Sequence, residues 1–299
     1  MSARDFALLV AVCLVWAGNN VVSKIIITHY GAPPLFYATA RFAVVTLVTL
    51  PWLLPAPRPL GRLILVALLI GAASFALVFL ALQTTSPSSV AIVSQLGLPI
   101  SIALSALLLG ERIPARRAFG MALTLGGVVL VLWNPAGFSV GAGLLYVVGS
   151  AAAGSLGAVL MKRMGGVSPL KFQAWVGFSA IWPLGALSAV MEHGQGAVLA
   201  GALWPFLAGV AFSGLVVSVV AHTTYYGLIQ RHEVNLLQPL MLLTPLANIA
   251  LGVTITHDRF DARMGAGAAL ALLGVLVVAL PAGANPFPHL VRRLARSRA

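Results

Sequence analysis

Charged side chains are scarce in this chain of 299 residues. Lys and Arg number 18 and Asp and Glu number 6, so 8% of the residues are charged, while 60% are hydrophobic. A soluble domain usually carries about 25% charged residues, and a mean hydropathy of +1.01 is far above what a water-facing surface needs. The composition therefore excludes a soluble enzyme, a disordered chain and a nucleic-acid-binding domain, and it indicates that lipid is the main solvent.

Cysteine and catalytic signatures are scarce as well. The chain has one cysteine, Cys13, so neither an intramolecular disulfide nor a cysteine-based metal site can form. It lacks the H-E-x-x-H pattern of zinc proteases, a Walker A sequence and a Gly-x-Ser-x-Gly nucleophile turn. These absences argue against an enzyme and against an ATP-driven pump, and we expect neither a cofactor nor a metal ion.

Long apolar runs are the dominant feature of what is present. A helix needs about 20 apolar residues to cross the hydrocarbon core of a bilayer, and the runs are continuous rather than alternating, which favours helices over a barrel. The sequence therefore predicts an all-α membrane protein with ten transmembrane helices and short connections. The predicted spans are 6–27, 34–54, 62–83, 86–109, 114–133, 141–162, 169–191, 203–228, 234–256 and 263–282.

Basic residues alternate with the predicted spans. If both termini are cytoplasmic, 14 of the 18 Lys and Arg residues fall on the cytoplasmic side, and only Arg259 and Arg263 fall outside. Retention of basic residues on the cytoplasmic side is the rule for inner-membrane proteins. The pattern predicts a multi-pass protein of the bacterial inner membrane, with a basic cytoplasmic tail at 284–299 that contacts anionic lipid head groups.

The two halves of the chain repeat a common pattern, with five predicted spans in 1–133 and five in 134–283. Because five is odd, the second half must enter the membrane with the opposite polarity. Inverted repeats of this kind are typical of secondary transporters, whose substrate site lies near the midplane between the repeats. The matched pairs are Glu111/Asp258, Arg112/Arg259, Gly120/Gly267 and Gly127/Gly274 at a separation of 147, Pro99/Pro245 at 146, and Pro34/Pro169 at 135.

Several short motifs occur in a characteristic order: Trp16-Ala-Gly-Asn-Asn, Arg41-Phe, Pro99, Leu109-Gly-Glu-Arg, and glycines 120 and 127. In this order they resemble the drug/metabolite transporter superfamily, in its EamA-type branch of ten helices. The chain is similar in particular to bacterial exporters of aromatic and other neutral amino acids, and the resemblance implies such substrates. The second half departs from the family pattern at His257-Asp258-Arg259, so that turn is expected to differ.

Polar and interrupted positions within the spans are the candidate substrate pathway, because polar groups are expensive in lipid and usually face a cavity or a partner helix. Pro99 and Pro245 interrupt equivalent helices, which is the strongest sequence pointer to a transporter site. Aromatic side chains are included among the candidates because their flat faces suit an aromatic solute. The candidates are Asn19, Asn20, Lys24, Arg41, Phe79, Gln95, Pro99, Trp175, His222, Tyr225, Gln238, Pro245 and Asn248.

Each candidate has a structural alternative. Lys24 can line the pathway or extend toward the membrane interface. Arg41 can bind a substrate carboxylate through two nitrogens or lock its helix to its neighbours. His222 can couple protons or serve in packing. The amides can bond between helices, the aromatic side chains can belong to the core, and the prolines can simply shape packing.

All six acidic residues lie at the ends of predicted spans: Asp5, Glu111, Glu192, Glu233, Asp258 and Asp261. Proton- and sodium-coupled transporters commonly use a carboxylate within the membrane, so the pattern predicts facilitated or weakly coupled export by alternating access. A proton-coupled exporter of amphipathic drugs is the first alternative, and a non-transporting membrane enzyme or scaffold is the second. The sequence is compatible with a monomer or a dimer.

Overall fold

The computed structural model describes residues 2–110, 113–132, 141–161, 167–232, 237 and 240–279, and all regular secondary structure in these ranges is helical. Eight of the helices are long and apolar enough to cross a bilayer, and Leu243–Ile255 is a shorter apolar helix. In chain order the helices are α1 Ala3–Thr28, α2 Pro34–Thr49, α3 Leu60–Thr84, α4 Pro87–Leu108, α5 Ala115–Leu132, α6 Ala142–Met161, α7 Pro169–Met191, α8 Gln195–Gly201, α9 Leu203–Tyr225, α10 Leu243–Ile255 and α11 Ala262–Ala279.

The Ser-Pro dipeptides begin helices, as their chemistry predicts. Ser86 and Ser168 are the N-caps of α4 and α7, and each hydroxyl accepts a backbone N–H from the first turn, at 3.2 and 3.4 Å. Pro87 and Pro169 occupy the first helical position, where a missing N–H costs nothing. At the far end of α4, Gly110 takes a φ of 70°, a left-handed conformation that favours glycine and ends the helix.

Three of the long helices are irregular near their middle. Helix α3 contains a π-helical segment at Leu68–Ala73, and α9 contains a longer one at Phe212–Ala221. Helix α4 passes through a 3-10 turn at Ser94–Leu96, directly before the segment in which Pro99 is the third residue. Pro245 is likewise the third residue of α10. The helix break near Pro99 agrees with the sequence, whereas the π segments were not predicted.

Helices α5 and α11 cross in direct backbone contact. A methyl group on Gly274 would lie 2.5 Å from the carbonyl oxygen of Gly120, and one on Gly120 would lie 2.7 Å from the carbonyl oxygen of Gly274. Gly127 and Gly267 meet in the same reciprocal way, and a methyl group on Gly267 would lie 2.7 Å from the Gly127 carbonyl oxygen. The glycine pairs run in opposite chain directions, so the two helices are antiparallel.

Helices α2 and α7 form a second antiparallel pair that is tied at both ends. At one end the Glu192 carboxylate accepts the backbone N–H groups of Leu35 and Phe36, at 2.7 and 2.9 Å. At the other end the Trp175 indole donates to the carbonyl oxygen of Leu53 at 3.2 Å. The carboxylate satisfies free donors at the positive end of α2, and the indole satisfies an acceptor beyond its negative end.

The remaining long helices form two similar sets of contacts. Helix α1 packs against α9 and α10, and α6 packs against α3 and α4. Exchanging α1 with α6, α3 with α9, and α4 with α10 turns the first set of contacts into the second. Buried Tyr37, Phe42, Phe79 and Leu82 belong to the hydrophobic core that these contacts enclose.

Some predicted features lie outside the described residues: Gln238, the Glu111-Arg112 pair, Glu233 and the basic tail 284–299. The four described acids, Asp5, Glu192, Asp258 and Asp261, lie in a first helical turn or beyond a helix end, as expected. The short helix α8 occupies a stretch that the sequence treated as a connection.

Candidate functional site

Arg41 of α2 is fully buried in the bundle, with 0% of its surface exposed. Its Nε donates to the hydroxyl of Ser218 on α9 at 3.1 Å, and its Nη1 and Nη2 have no hydrogen-bond partner among the described residues. The guanidinium lies 4.2 Å from the ring centroid of Phe75, with Phe42 and Phe79 at 5.7 and 5.8 Å. An arginine that uses one of its donors inside an aromatic cage retains unsatisfied capacity for an anion.

A buried polar network connects Arg41 to α1 through the π segment of α9. The Ser218 hydroxyl donates to the carbonyl oxygen of Ser213, five residues earlier, at 3.0 Å. The Ser213 hydroxyl donates to Oδ1 of Asn19 at 2.6 Å and lies 2.7 Å from the Tyr37 hydroxyl. The Tyr37 hydroxyl also lies 3.0 Å from the carbonyl oxygen of Gly209. Asn19 and Arg41, predicted separately, therefore belong to one site formed by α1, α2 and α9.

His222 and Tyr225 continue this region along α9. His222 directly follows the π segment, and its Nδ1 lies 2.7 Å from the carbonyl oxygen of Val217, so Nδ1 carries the donated proton. The ring of Trp16 on α1 contacts both side chains, with centroid distances of 4.9 Å to His222 and 5.0 Å to Tyr225. The structure thus places two predicted residues in an aromatic cluster between α1 and α9.

Lys24 lies at the end of α3 rather than beside Arg41. Its Nζ donates to the carbonyl oxygens of Leu82 and Thr85 at 2.7 and 3.2 Å, where the last carbonyls of α3 lack intrahelical partners. Nearby in the fold, the Asp258 carboxylate accepts the backbone N–H and the hydroxyl of Ser88, at 2.9 and 2.5 Å, and so caps α4. Both charged groups hold helix ends in this conformation.

The amide candidates are dispersed. Asn20 is half-buried on α1, and Gln95 lies in the 3-10 turn of α4, where its Nε2 donates to the carbonyl oxygen of Ala91 at 3.2 Å. Asn248 is buried on α10, and its Oδ1 has no partner among the described residues. Trp175 lies at the opposite end of α2 from Glu192. Its indole donates to the carbonyl oxygen of Leu53, just beyond α2, so it does not join the Arg41 network.

A cavity of about 470 Å³, largely open to its surroundings, lies between α3, α4 and α6. In its wall the hydroxyls of Ser74 and Ser150 are hydrogen-bonded at 2.9 Å, and Ser155 donates to the carbonyl oxygen of Gly97 at 2.7 Å. The other lining side chains are small or aliphatic, and none of the lining residues is charged. The cavity suits an uncharged or zwitterionic solute of modest size.

Sequence reasoning missed Tyr37, Ser213 and Ser218. Small hydroxyl residues in an apolar run usually indicate close helix packing, and Tyr37 looks like an ordinary core aromatic. Ser213 and Ser218 interact because the π geometry brings residues five apart together. An apolar sequence carries no signal that separates a π segment from a regular helix.

Comparison with known proteins identifies the relationship. The model of the EamA-like transporter family matches this chain twice, at residues 5–133 and 141–280. The chain is 26% identical to the "Probable amino-acid metabolite efflux pump" of Salmonella typhimurium over 99% of both chains. It is also 26% identical to the protein of the same name from Escherichia coli, over 93% of this chain and 95% of the other.

A solved crystal structure has the same fold. Its TM-score is 0.63 at 20% identity, and the alignment covers 94% of this chain and 99% of that chain. The apolar helices and the family match together make this a multi-pass membrane protein. The two matches of the family model span most of the sequence, so the chain belongs to the EamA-like transporter family and is a transporter rather than an enzyme.

Proposed function

We propose that the protein exports neutral, in particular aromatic, amino acids and related small metabolites across the bacterial inner membrane. The observation that carries this proposal is the cavity between α3, α4 and α6. Its volume of about 470 Å³ is in the range of small-molecule sites, and its lining combines serine hydroxyls with aliphatic groups. The names of the two relatives, which describe efflux of amino-acid metabolites, support the same class of solute.

The mechanism we propose is alternating access between two inverted repeats, 1–133 and 134–283, with both termini in the cytoplasm. The antiparallel pairs α5–α11 and α2–α7, and the two consecutive matches of the family model, support the repeats. The cavity lies between α3, α4 and α6, whereas the corresponding helices α9, α10 and α1 bring the rings of Trp16, His222 and Tyr225 together. Such a difference between matched regions is what a rocking transporter shows in one of its two states.

Transport is facilitated or weakly coupled in this proposal. The described acids lie at helix ends, where Asp258 and Glu192 already accept backbone donors and hold helices in place. Carboxylates in those roles are poorly placed to carry ions through the midplane. The solute gradient then supplies the driving force.

The test is counterflow of radiolabelled phenylalanine in proteoliposomes, with empty liposomes as the control. Replacing Ala151, which lines the cavity, by Trp should reduce the uptake rate about tenfold or more, because the indole fills the solute space. Replacing Leu107, which is 80% exposed on α4, by Trp adds the same ring on the lipid-facing surface and should leave uptake unchanged. Phenylalanine uptake equal to that of empty liposomes would contradict the aromatic assignment.

A proton-coupled exporter of amphipathic compounds is the second candidate function. His222 favours it, because an imidazole that can exchange protons lies directly after the π segment and against Trp16. Under this alternative an imposed pH gradient accelerates uptake and His222→Gln abolishes the acceleration. Equal uptake with and without the gradient, in the wild type, would exclude it.

A further inference from the structure

The charge of Arg41 is uncompensated among the described residues. The side chain is fully buried, it makes one hydrogen bond through Nε, and its two terminal nitrogens have no protein acceptor in the part of the chain that is described. Leaving a cation buried without an acceptor is costly, and the nearby aromatic rings offset only part of that cost. The arrangement is therefore unexpected for a residue that only holds helices together, which would use its terminal nitrogens.

The rings of Phe75 and Phe79, which cover the Arg41 guanidinium, belong to α3, a helix that also lines the cavity. Phe75 and Phe79 lie over Arg41 on one side of α3, while Ser74 and Val78 on the adjacent side face the cavity. Phe79 is fully buried, whereas Phe75 is only half-buried. The partly exposed ring of Phe75 therefore covers the guanidinium, and its chain neighbour Ser74 lines the cavity.

Helices α3 and α9, which both contact the Arg41 side chain, each contain a π-helical segment near that contact. The π segment of α3 ends at Ala73, two residues before Phe75, and the π segment of α9 contains Ser218, the partner of Arg41. π segments are uncommon and concentrate at functional sites. A shift from π to α geometry rotates the residues that follow, which in α3 moves Phe75 relative to the guanidinium.

We propose that Arg41 is the carboxylate-binding group for the transported solute and that Phe75 covers it in the conformation described. When Phe75 moves aside, Nη1 and Nη2 donate to the two oxygens of a solute carboxylate in the paired geometry that arginine favours, and the ring of an aromatic solute packs against Phe75 and Phe79. This assignment rests on the proposed function, since it concerns recognition of the same class of solutes.

The first experiment compares solutes that differ at the carboxylate. In proteoliposomes, unlabelled phenylalanine and 3-phenylpropionate should compete with labelled phenylalanine, and phenylalaninamide should compete about tenfold less well or worse. Arg41→Gln should remove this preference. Ser218→Ala is the matched control, because it removes the Nε partner and keeps the charge, and it should retain the preference.

A second measurement separates recognition from transport. In detergent, 3-phenylpropionate should raise the thermal unfolding midpoint of the wild type, 3-phenylpropionamide should not, and Arg41→Gln should not respond to either. Arg41→Lys, which keeps the charge but not the paired donors, should bind the acid about tenfold more weakly, and it serves if Arg41→Gln does not fold.

The outcomes distinguish the two proposals. If the wild type moves phenylalanine and its amide equally well, the exporter assignment stands and the role of Arg41 is wrong. If phenylalanine is not moved but carboxylates stabilise the wild type through Arg41, the anion site stands and the amino-acid assignment falls. If the wild type shows no carboxylate preference in either measurement, the proposal for Arg41 is overturned.

Discussion

Arg41 on α2 and Val176 on α7 lie at comparable helix crossings, each between one helix of residues 1–133 and one of residues 134–283, yet their surroundings differ. They are 135 residues apart, the same separation as Pro34 and Pro169 at the starts of α2 and α7. A methyl group on Gly214 would lie 3.1 Å from the Arg41 carbonyl oxygen, and one on Gly71 would lie 3.3 Å from the Val176 carbonyl oxygen.

The backbone of the two crossings is therefore alike, while the chemistry is not. Around Arg41 lie Asn19, Tyr37 and the serines of α9, joined in one network. At the Val176 crossing, Gly71 packs against Val176 and Ala180, and α3 contacts α6 through the serine pair Ser74 and Ser150. The difference teaches that two helix crossings with similar backbone geometry can differ sharply in polarity.

The largest effect is expected from Val176→Arg, which places a second arginine in the aliphatic crossing. Val176 is buried against Gly71, so the new charge should lower the free energy of unfolding by about 3–5 kcal/mol. Val176→Met adds a long uncharged chain and should cost less. Thermal unfolding in detergent measures both variants. Equal unfolding midpoints for Val176→Arg and Val176→Met would mean that the Val176 crossing tolerates a buried charge.

The next largest effect is expected where the two halves touch through backbone. Gly127→Ala places a methyl group against the Gly267 carbonyl oxygen at 2.5 Å, an overlap that backbone cannot relieve cheaply. We expect a loss of about 1–3 kcal/mol in the free energy of unfolding. Gly126→Ala is the control, because its methyl group would meet only Leu270 at 3.5 Å. If both variants unfold alike, the close crossing is not what holds α5 and α11 together.

A smaller effect is expected from Asn19→Ala in the Arg41 network. It removes the acceptor of the buried Ser213 hydroxyl, which should cost about 1–2 kcal/mol. Ser150→Ala removes the serine contact between α3 and α6 and should cost less, because Ser74 borders the cavity and can be solvated there. The comparison uses chemical unfolding at fixed detergent concentration. A larger loss for Ser150→Ala would contradict the view that the Arg41 network is stronger than the serine contact between α3 and α6.

The smallest effect is expected at the ends of the α2–α7 pair. Glu192→Gln weakens the anionic cap of α2 and should cost about 0.3–1 kcal/mol. Lys171→Met removes an exposed donor to the Pro55 carbonyl oxygen at the opposite end and should change the unfolding midpoint little. If Lys171→Met destabilised the protein more than Glu192→Gln, the contacts at the Trp175 end of the α2–α7 pair would be the stronger ones.

Features with a local physical cause could be read from the sequence. Ser-Pro dipeptides start α4 and α7 because the serine caps and the proline needs no donor. The interruption before Pro99 follows from the missing N–H, and the glycines at 120, 127, 267 and 274 do lie where helices touch. The buried position of Arg41 follows from its place in an apolar run.

Features that depend on distant partners could not be read. Lys24 bonds to Leu82, 58 residues away, and Ser213 bonds to Asn19, 194 residues away. Trp175 was predicted as a face for the solute, but its indole is bonded to the end of α2. Sequence spacing identifies which helix face a side chain occupies, while the identity of its partner depends on how the bundle assembles.

The crossing of α5 and α11 is self-complementary: each helix presents to the other the same pair of glycines in reverse order. A surface that fits an antiparallel copy of itself does not require its two sides to be in one polypeptide. A chain of half this length, inserted in both orientations, could meet through the same contact as an isologous dimer.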